Sequence, residues 1–148
     1  MLYAAYGSNL NLEQMAVRCP GAEIVTTAMI PDYRLMFKGS LTGAYLTIES
    51  EAGCEVPVGI WRITNAHVAA LDRYEGFPNF YYKKWFTLPC DDGKTHRVLV
   101  YIMHEYRKLG TPSKWYVEGC LDGYDAFKFD HKYLWHAVDY SMKGGVAV

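Results

Sequence analysis

The chain predicts an α+β fold, a small mixed and mostly antiparallel β-barrel, partly closed, with a few helices packed on it. Three observations predict it. About seven runs carry the short, β-branched and aromatic patterning of strands. Most of these runs follow one another with no helix between, which favours antiparallel or mixed pairing over alternating β-α-β units. The few helix-like runs stand after the first strand, after the fifth, and near the C-terminus, where they would close the ends. At 148 residues, 51% of them hydrophobic, the chain reads as one domain over 1–148 with a sizeable core. A C-terminal helix and tail start from about residue 125.

Residues 2–6 read as the first strand, broken by Gly7, Ser8 and Asn9. Asn11 can cap a short helix through about Arg18, ended by Pro20 and Gly21. Strands follow over residues 22–29 and 33–37, separated by the turn pair Pro31-Asp32. Another spans 44–49, after Gly39 and Gly43, and another 56–63, bounded by Glu51, Ala52 and Gly53. Thr64 or Asn65 suits the N-cap of a helix over 65–74, which Gly76 and Pro78 stop. Residues 81–88 and 96–103 read as two strands around the hairpin turn 91–94. Pro112 and Ser113 open a helix through about Leu121. Asp130 caps a last helix over 131–143, ended by Gly144 and Gly145, and the tail 146–148 is expected to be loose.

Charge and composition exclude several functions. The net charge is −1 with a pI near 6.5, without the basic face that nucleic acid requires. No apolar run approaches the ~20 residues of a membrane span. The first residues carry neither a basic n-region nor a long apolar h-region, so the expected location is cytoplasmic. Cys19, Cys54, Cys90 and Cys120 stand far apart with no C-x-x-C pair, and the five histidines form no H-x-x-x-H pair. Reduced cysteines and no metal site are therefore expected. The 13 tyrosines are either large core and rim side chains or the lining of a cleft for a polar ligand.

Two segments carry chemistry. On a helical wheel Val68, Leu71 and Glu75 stand at i, i+3 and i+7 and share one face. Asp72 lies toward its flank and Arg73 points away. Glu75 is thus offered to the interior, where burial and the negative end of the helix dipole both disfavour its charge. A carboxyl raised in this way can move protons near neutral pH. The alternative is a solvated glutamate at a helix end. The second segment is the Gly7-Ser8-Asn9 loop, whose successive N–H groups can form an anion-binding nest. It has no phosphate-loop spacing and no G-x-S-x-G elbow, which makes Ser8 a poor nucleophile. Its alternative is a plain strand-to-helix turn.

The order of these segments is familiar. Tyr3-Ala4-Ala5-Tyr6-Gly7-Ser8-Asn9-Leu10 resembles the signature loop of the gamma-glutamylcyclotransferase (AIG2-like) family. Leu71-Asp72-Arg73-Tyr74-Glu75-Gly76 resembles the segment that carries its catalytic glutamate. Residues 31–37, 58–61 and 112–116 are similar to later segments in the right order, and the likeness covers roughly residues 2–124. It implies a central cavity in the barrel and a cofactor-independent reaction of lyase or acyltransferase type. In that reaction the α-amine of a γ-glutamyl compound attacks its own γ-carbonyl and releases 5-oxoproline with an amino acid or amine. Glu75 would be the general acid/base. Tyr3, Ala4, Ala5, Tyr6, Gly7, Ser8, Asn9 and Tyr116 would bind substrate, the backbone of Tyr6, Gly7 and Ser8 holding the developing oxyanion. The implied partner is a small γ-glutamyl molecule, with no nucleic acid and no membrane, and the chain a monomer or homodimer. Two alternatives are a cyclotransferase for γ-glutamylamines or ε-(γ-glutamyl)lysine, and a non-catalytic domain that binds a small acid. Tyr82-Lys83-Lys84 stands where many members carry Tyr-x-Arg, a non-neutral change. Asn9 argues against the glutathione-specific branch, whose loop reads Y-G-S-L. Residues 39–43 and 105–113 are the expected rim on the leaving-group side.

Overall fold

The computed structural model describes residues 1–145; the tail 146–148 lies outside the described residues. Among them five strands form one sheet in the order β2-β3-β1-β5-β4. They are β1 (Leu2–Ala5), β2 (Glu23–Lys38), β3 (Tyr45–Arg62), β4 (Tyr81–Pro89) and β5 (Thr95–Met103). The short central β1 pairs antiparallel with β3, Ala4 opposite Ile60, and parallel with β5, Tyr3 opposite Leu99. The remaining neighbours are antiparallel, so the sheet is mixed and mostly antiparallel, as expected.

The count of seven strands is corrected to five. Pro31-Asp32 does not reverse the chain. Pairing of β2 with β3 runs from Glu23 opposite Arg62 to Lys38 opposite Tyr45, with a register shift between Pro31 and Tyr33. Asp32 takes a positive φ of 57° and its carboxylate accepts the Gly53 N–H at 3.0 Å. The apparent turns at 31–32 and 51–53 are thus two sides of one bulge, which bends both strands while pairing resumes beyond it. That bend, with sheet twist, brings the two sheet edges together. Ala28 of β2 bridges Cys90 just past β4, the Asp91 N–H donates to the Thr27 carbonyl at 2.9 Å, and Tyr33 meets Phe86 edge-on at 5.2 Å. The barrel is closed at this corner.

Ile30, Phe37, Ile48, Ile60, Val98 and Val100 fill the interior, all fully buried. Residues 98–103 of β5 are buried without alternation, because both faces of this inner strand are covered. Four helices pack around the sheet: α1 (Leu12–Arg18), α2 (Asn65–Glu75), α3 (Lys114–Phe127) and α4 (Lys132–Met142). α3 runs a turn and a half beyond the expected end near Leu121. Gly123 lies in that extension, where a Cβ would come within 2.6 Å of Leu10. The glycine costs helix propensity but lets α3 lie directly on the turn after β1. Asn11 fastens the same contact, its Nδ2 donating to the Gly119 carbonyl at 3.0 Å. Asp130 accepts the Lys132 N–H at 2.9 Å, while the residue flanking α4 is His131, with no side-chain cap. α4 is pinned to β2 through Ser141, whose hydroxyl accepts the Phe37 N–H at 2.8 Å and donates to the Ala137 carbonyl at 2.7 Å. No helix among the described residues is long and apolar enough to cross a membrane.

Candidate active site

α2 is defined at both ends by its own sequence. Thr64 Oγ1 accepts the His67 N–H at 3.2 Å and His67 Nδ1 accepts the Thr64 N–H at 3.2 Å, a closed capping box. Gly76, with φ of 65°, ends the helix in the left-handed conformation that glycine adopts without penalty. Between them Leu71 is fully buried, and Glu75, one turn on along the same face, lines a cavity of about 320 Å³. Asp72, on the flank, is used differently. Its carboxylate accepts the Tyr101 hydroxyl at 2.5 Å and pairs with Lys83 at 2.9 Å, tying α2 to β4 and β5. Arg73 is exposed and stands at the cavity mouth.

Burial pushes the Glu75 carboxyl up to about 8, and the Arg18 guanidinium acts in the opposite direction. As the last residue of α2, Glu75 also meets the negative end of the helix dipole, which favours its protonated form. The surroundings are phenolic. Tyr3, Tyr6, Tyr45, Tyr74, Tyr81, Tyr101 and Tyr116 all line the cavity, so the tyrosine-rich composition concentrates in a cleft. Burial raises Tyr3, Tyr6, Tyr81 and Tyr116 well above the usual phenol value, with the nearby Glu75 adding to each. Several hydroxyls are already committed. Tyr6 donates to the Tyr101 carbonyl at 2.7 Å, Tyr81 donates to the Leu46 carbonyl at 2.7 Å, and the Tyr116 hydroxyl accepts the Leu46 N–H at 3.2 Å.

The loop after β1 lines the same cavity as Glu75. A 3-10 turn over Ser8–Leu10 is closed by the Leu10 N–H to the Gly7 carbonyl at 3.0 Å and the Asn11 N–H to the Ser8 carbonyl at 3.1 Å. The first N–H groups of such a turn have no partner within it, none of the hydrogen bonds found among the described residues engages the N–H of Gly7, Ser8 or Asn9, and all three residues line the cavity. Gly7 does not use positive φ; its φ is −129°. A Cβ there would stand 3.3 Å from the Tyr116 hydroxyl and 3.4 Å from Leu46, close enough that the tyrosine would have to shift by a few tenths of an ångström. Ser8 Oγ lies 3.0 Å from the Tyr74 hydroxyl. Asn9 points its Nδ2 at the Tyr3 hydroxyl (2.9 Å), receives Arg18 Nη1 on its Oδ1 (2.6 Å), and receives the Trp61 indole N–H on its carbonyl (3.1 Å).

Of the residues singled out from sequence, Glu75, Tyr3, Tyr6, Gly7, Ser8, Asn9 and Tyr116 come together around one cavity. Ala4 and Ala5 are buried in β1, outside the lining, and serve as the packed strand from which the turn projects. Tyr45, Leu46, Phe80, Tyr81 and Tyr101 complete the wall. Sequence reasoning missed Tyr45, Leu46, Tyr81 and Tyr101 because β3, β4 and β5 deliver them from afar, while Phe80 comes from the connection after α2; for the three tyrosines, abundance was the one signal. Residues 39–43 and 105–113 are knitted together, Gly39 N–H to Lys108 carbonyl at 3.0 Å and Thr111 N–H to Leu41 carbonyl at 2.9 Å. They do not line the cavity; Tyr45 and Leu46, just beyond the first of them, do. Lys84 donates to the Tyr33 hydroxyl at 2.9 Å and Lys83 pairs with Asp72, both outside the lining.

Cys90, Asp92 and His96 form the cluster best suited to a metal ion among the described residues, their ligand atoms within 4.8 Å of one another. It spans the β4–β5 turn and the start of β5, and its groups are already hydrogen-bonded. His96 Nε2 meets Asp92 Oδ2 at 2.8 Å, Asp92 Oδ1 accepts the Lys94 N–H at 3.0 Å, and Cys90 Sγ donates to the Leu88 carbonyl. None of these residues borders the cavity.

Comparison with known proteins bears on the same segments. The family profile described as "Gamma-glutamyl cyclotransferase, AIG2-like" matches residues 3–126. A bovine protein named gamma-glutamylcyclotransferase is 32% identical over 116 residues, covering 73% of this chain and 62% of the bovine one. The human protein of that name is 32% identical over 113 residues, covering 71% and 60%. The chain thus spans about 60% of the length of these relatives. A solved structure named gamma-glutamyl cyclotransferase shares the fold at a TM-score of 0.81 and 24% identity, covering 100% of this chain and 88% of its own. An uncharacterized human protein superposes with a TM-score of 0.80 at 26% identity, covering 99% and 87%.

Proposed function

This chain belongs to the gamma-glutamyl cyclotransferase, AIG2-like family, and we propose from that membership and the cavity's geometry that it is a γ-glutamyl cyclotransferase. The observation that carries the reading is Glu75, a carboxyl held near neutrality in a phenol-lined cavity alongside unused N–H groups of the turn after β1. The glutamyl end of the substrate binds against residues 6–9 and Tyr116. Tyr3 and Asn9 hold the turn in shape, and Ala4 and Ala5 provide its packed base. Ionised Glu75 takes a proton from the substrate's α-ammonium. The freed nitrogen attacks the γ-carbonyl carbon, forming the ring C–N bond and a tetrahedral oxyanion that the turn's N–H groups stabilise. Glu75 passes this proton to the departing nitrogen as the original amide C–N bond breaks, and then takes the second proton from the ring nitrogen and hands it to the released amine. One C–N bond forms and one breaks, both protons end on the leaving nitrogen, and 5-oxoproline leaves with an amino acid or amine.

A side chain with a pKa of about 8 is mostly protonated at pH 7. The expected kcat/KM therefore rises with pH toward about 8. Glu75→Gln keeps the fold but removes the base, and activity falls about 10²–10⁴-fold. Wild type and Glu75→Gln are incubated with γ-glutamyl amino acids, γ-glutamylamines, ε-(γ-glutamyl)lysine and glutathione, and 5-oxoproline is measured by mass spectrometry. Release that survives the substitution, or wild type inert on the whole panel, refutes the reading.

A further inference from the structure

We propose that Arg18 is a positioning residue for this reaction: its guanidinium joins the ligand-facing turn to the last turn of α2, fixing where the turn's N–H groups lie and how readily Glu75 works as a base. The inference rests on the cyclotransferase reading above.

Arg18 closes α1, and both of its Nη atoms are engaged. Nη1 donates to Asn9 Oδ1 at 2.6 Å and Nη2 to Gln14 Oε1 at 2.8 Å, while the guanidinium carbon lies 3.6 Å from the centre of the Tyr74 ring. Tyr74 returns to the turn through its hydroxyl, 3.0 Å from Ser8 Oγ. The contacts close a circuit from Arg18 to Asn9, along the turn to Ser8, across to Tyr74 and back. Asn9 cannot rotate its amide without breaking two bonds, since Nδ2 faces Tyr3 and Oδ1 faces Arg18. A planar fork that donates in one plane and stacks on a ring is a task for arginine, not lysine.

The charge matters separately. Arg18 makes no ion pair among the described residues. The groups that face Glu75 are the phenols of Tyr3 on β1, Tyr6 just beyond it, Tyr74 on α2, Tyr81 on β4, Tyr101 on β5 and Tyr116 on α3. Each of them is shifted upward from the usual phenol value, so none carries charge near neutral pH. Arg18 is the cation that acts on Glu75 from α1, while Arg73, on Glu75's own helix, is exposed to solvent screening. Both roles meet at the site: the fork holds the turn, and the charge favours the ionised base.

The two roles separate in Arg18→Met, which removes both, and Arg18→Lys, which keeps the charge. With γ-glutamyl-alanine as substrate, Arg18→Met is expected to move the acid limb of kcat/KM up by about one pH unit and to raise KM about tenfold. Arg18→Lys leaves the limb in place and still raises KM. If both variants leave limb and KM unchanged, or lower only the melting temperature, the inference is wrong. A carboxyl-¹³C NMR titration of Glu75, assigned by its loss in Glu75→Gln, follows the charge effect without turnover. An unmoved titration in Arg18→Met overturns that half. Should Arg18→Met not fold, Arg18→Gln takes its place. If wild type releases no 5-oxoproline, the cyclotransferase reading fails, while the titration still decides whether Arg18 acts on Glu75.

Discussion

On the proposed reaction a single carboxyl, Glu75, ties activity to stability. Its ordinary value is 4.5 and the folded chain raises it to about 8. The folded state therefore holds this proton more tightly than the unfolded state. Raising the pH from about 4.5 to about 8 removes stability, and the loss is complete above 8. The cost is about 1.4 kcal/mol for each pH unit of offset, a few kcal/mol in all. A glutamine at this position cannot ionise, so Glu75→Gln is expected to raise the melting temperature at pH 8.5 and to leave it nearly unchanged near pH 4. Melting curves of the two proteins across that range check it, and a constant difference at every pH would refute it. The place of Glu75 was legible in the sequence because α2 is a regular helix bounded by Thr64 and Gly76, so its face could be read from Val68 and Leu71. Arg18 was not, since its partners Asn9 and Tyr74 lie 9 residues before it and 56 after it, and only the folded chain joins them.

At the scale of elements, the contact of α3 with the turn after β1 holds the cavity-lining residues 7–9 in place, and two glycines of α3 test it. Gly123 abuts backbone: a Cβ there would lie 2.6 Å from the Leu10 carbonyl carbon and 2.8 Å from the Asn11 nitrogen. Gly119 faces only Gln14 Nε2, at 2.9 Å, the end of a flexible side chain whose Oε1 also accepts Arg18 Nη2. Alanine gains about 1 kcal/mol of helix propensity at both positions. At Gly123 overpacking of about 1–3 kcal/mol outweighs that gain, and at Gly119 it does not. Gly123→Ala is expected to lower the denaturation midpoint and to weaken turnover by displacing the turn, with Gly119→Ala neutral or mildly stabilising. Urea titrations and 5-oxoproline assays on both check this; the reverse order would remove α3 as the support of the turn. The extension of α3 was not legible because a glycine inside a helical run reads as a weakness until its packing partner is known.

For the whole molecule, local patterning revealed the strands but not their continuity. Pro31-Asp32 and Gly53 look like chain reversals, and only their pairing with each other across the bulge shows two long bent strands in place of four short ones. The same bend closes the barrel at Ala28 and Cys90, a contact between segments about 60 residues apart that no local rule addresses. The cavity wall shares that origin, with Tyr45, Tyr81 and Tyr101 arriving from three strands. One long-range contact also makes the protein its own optical gauge. Trp61 is 5% exposed and binds the Asn9 carbonyl through its indole N–H, whereas Trp85, Trp115 and Trp135 are 40%, 73% and 47% exposed. Its emission should therefore stand blue of the other three and respond when a ligand shifts the turn. Titrating 5-oxoproline into Glu75→Gln should change that blue component, and Trp61→Phe should abolish the change. A response that persists without Trp61 would show that the signal comes from elsewhere. Where it holds, occupancy becomes visible in a protein that cannot turn its ligand over.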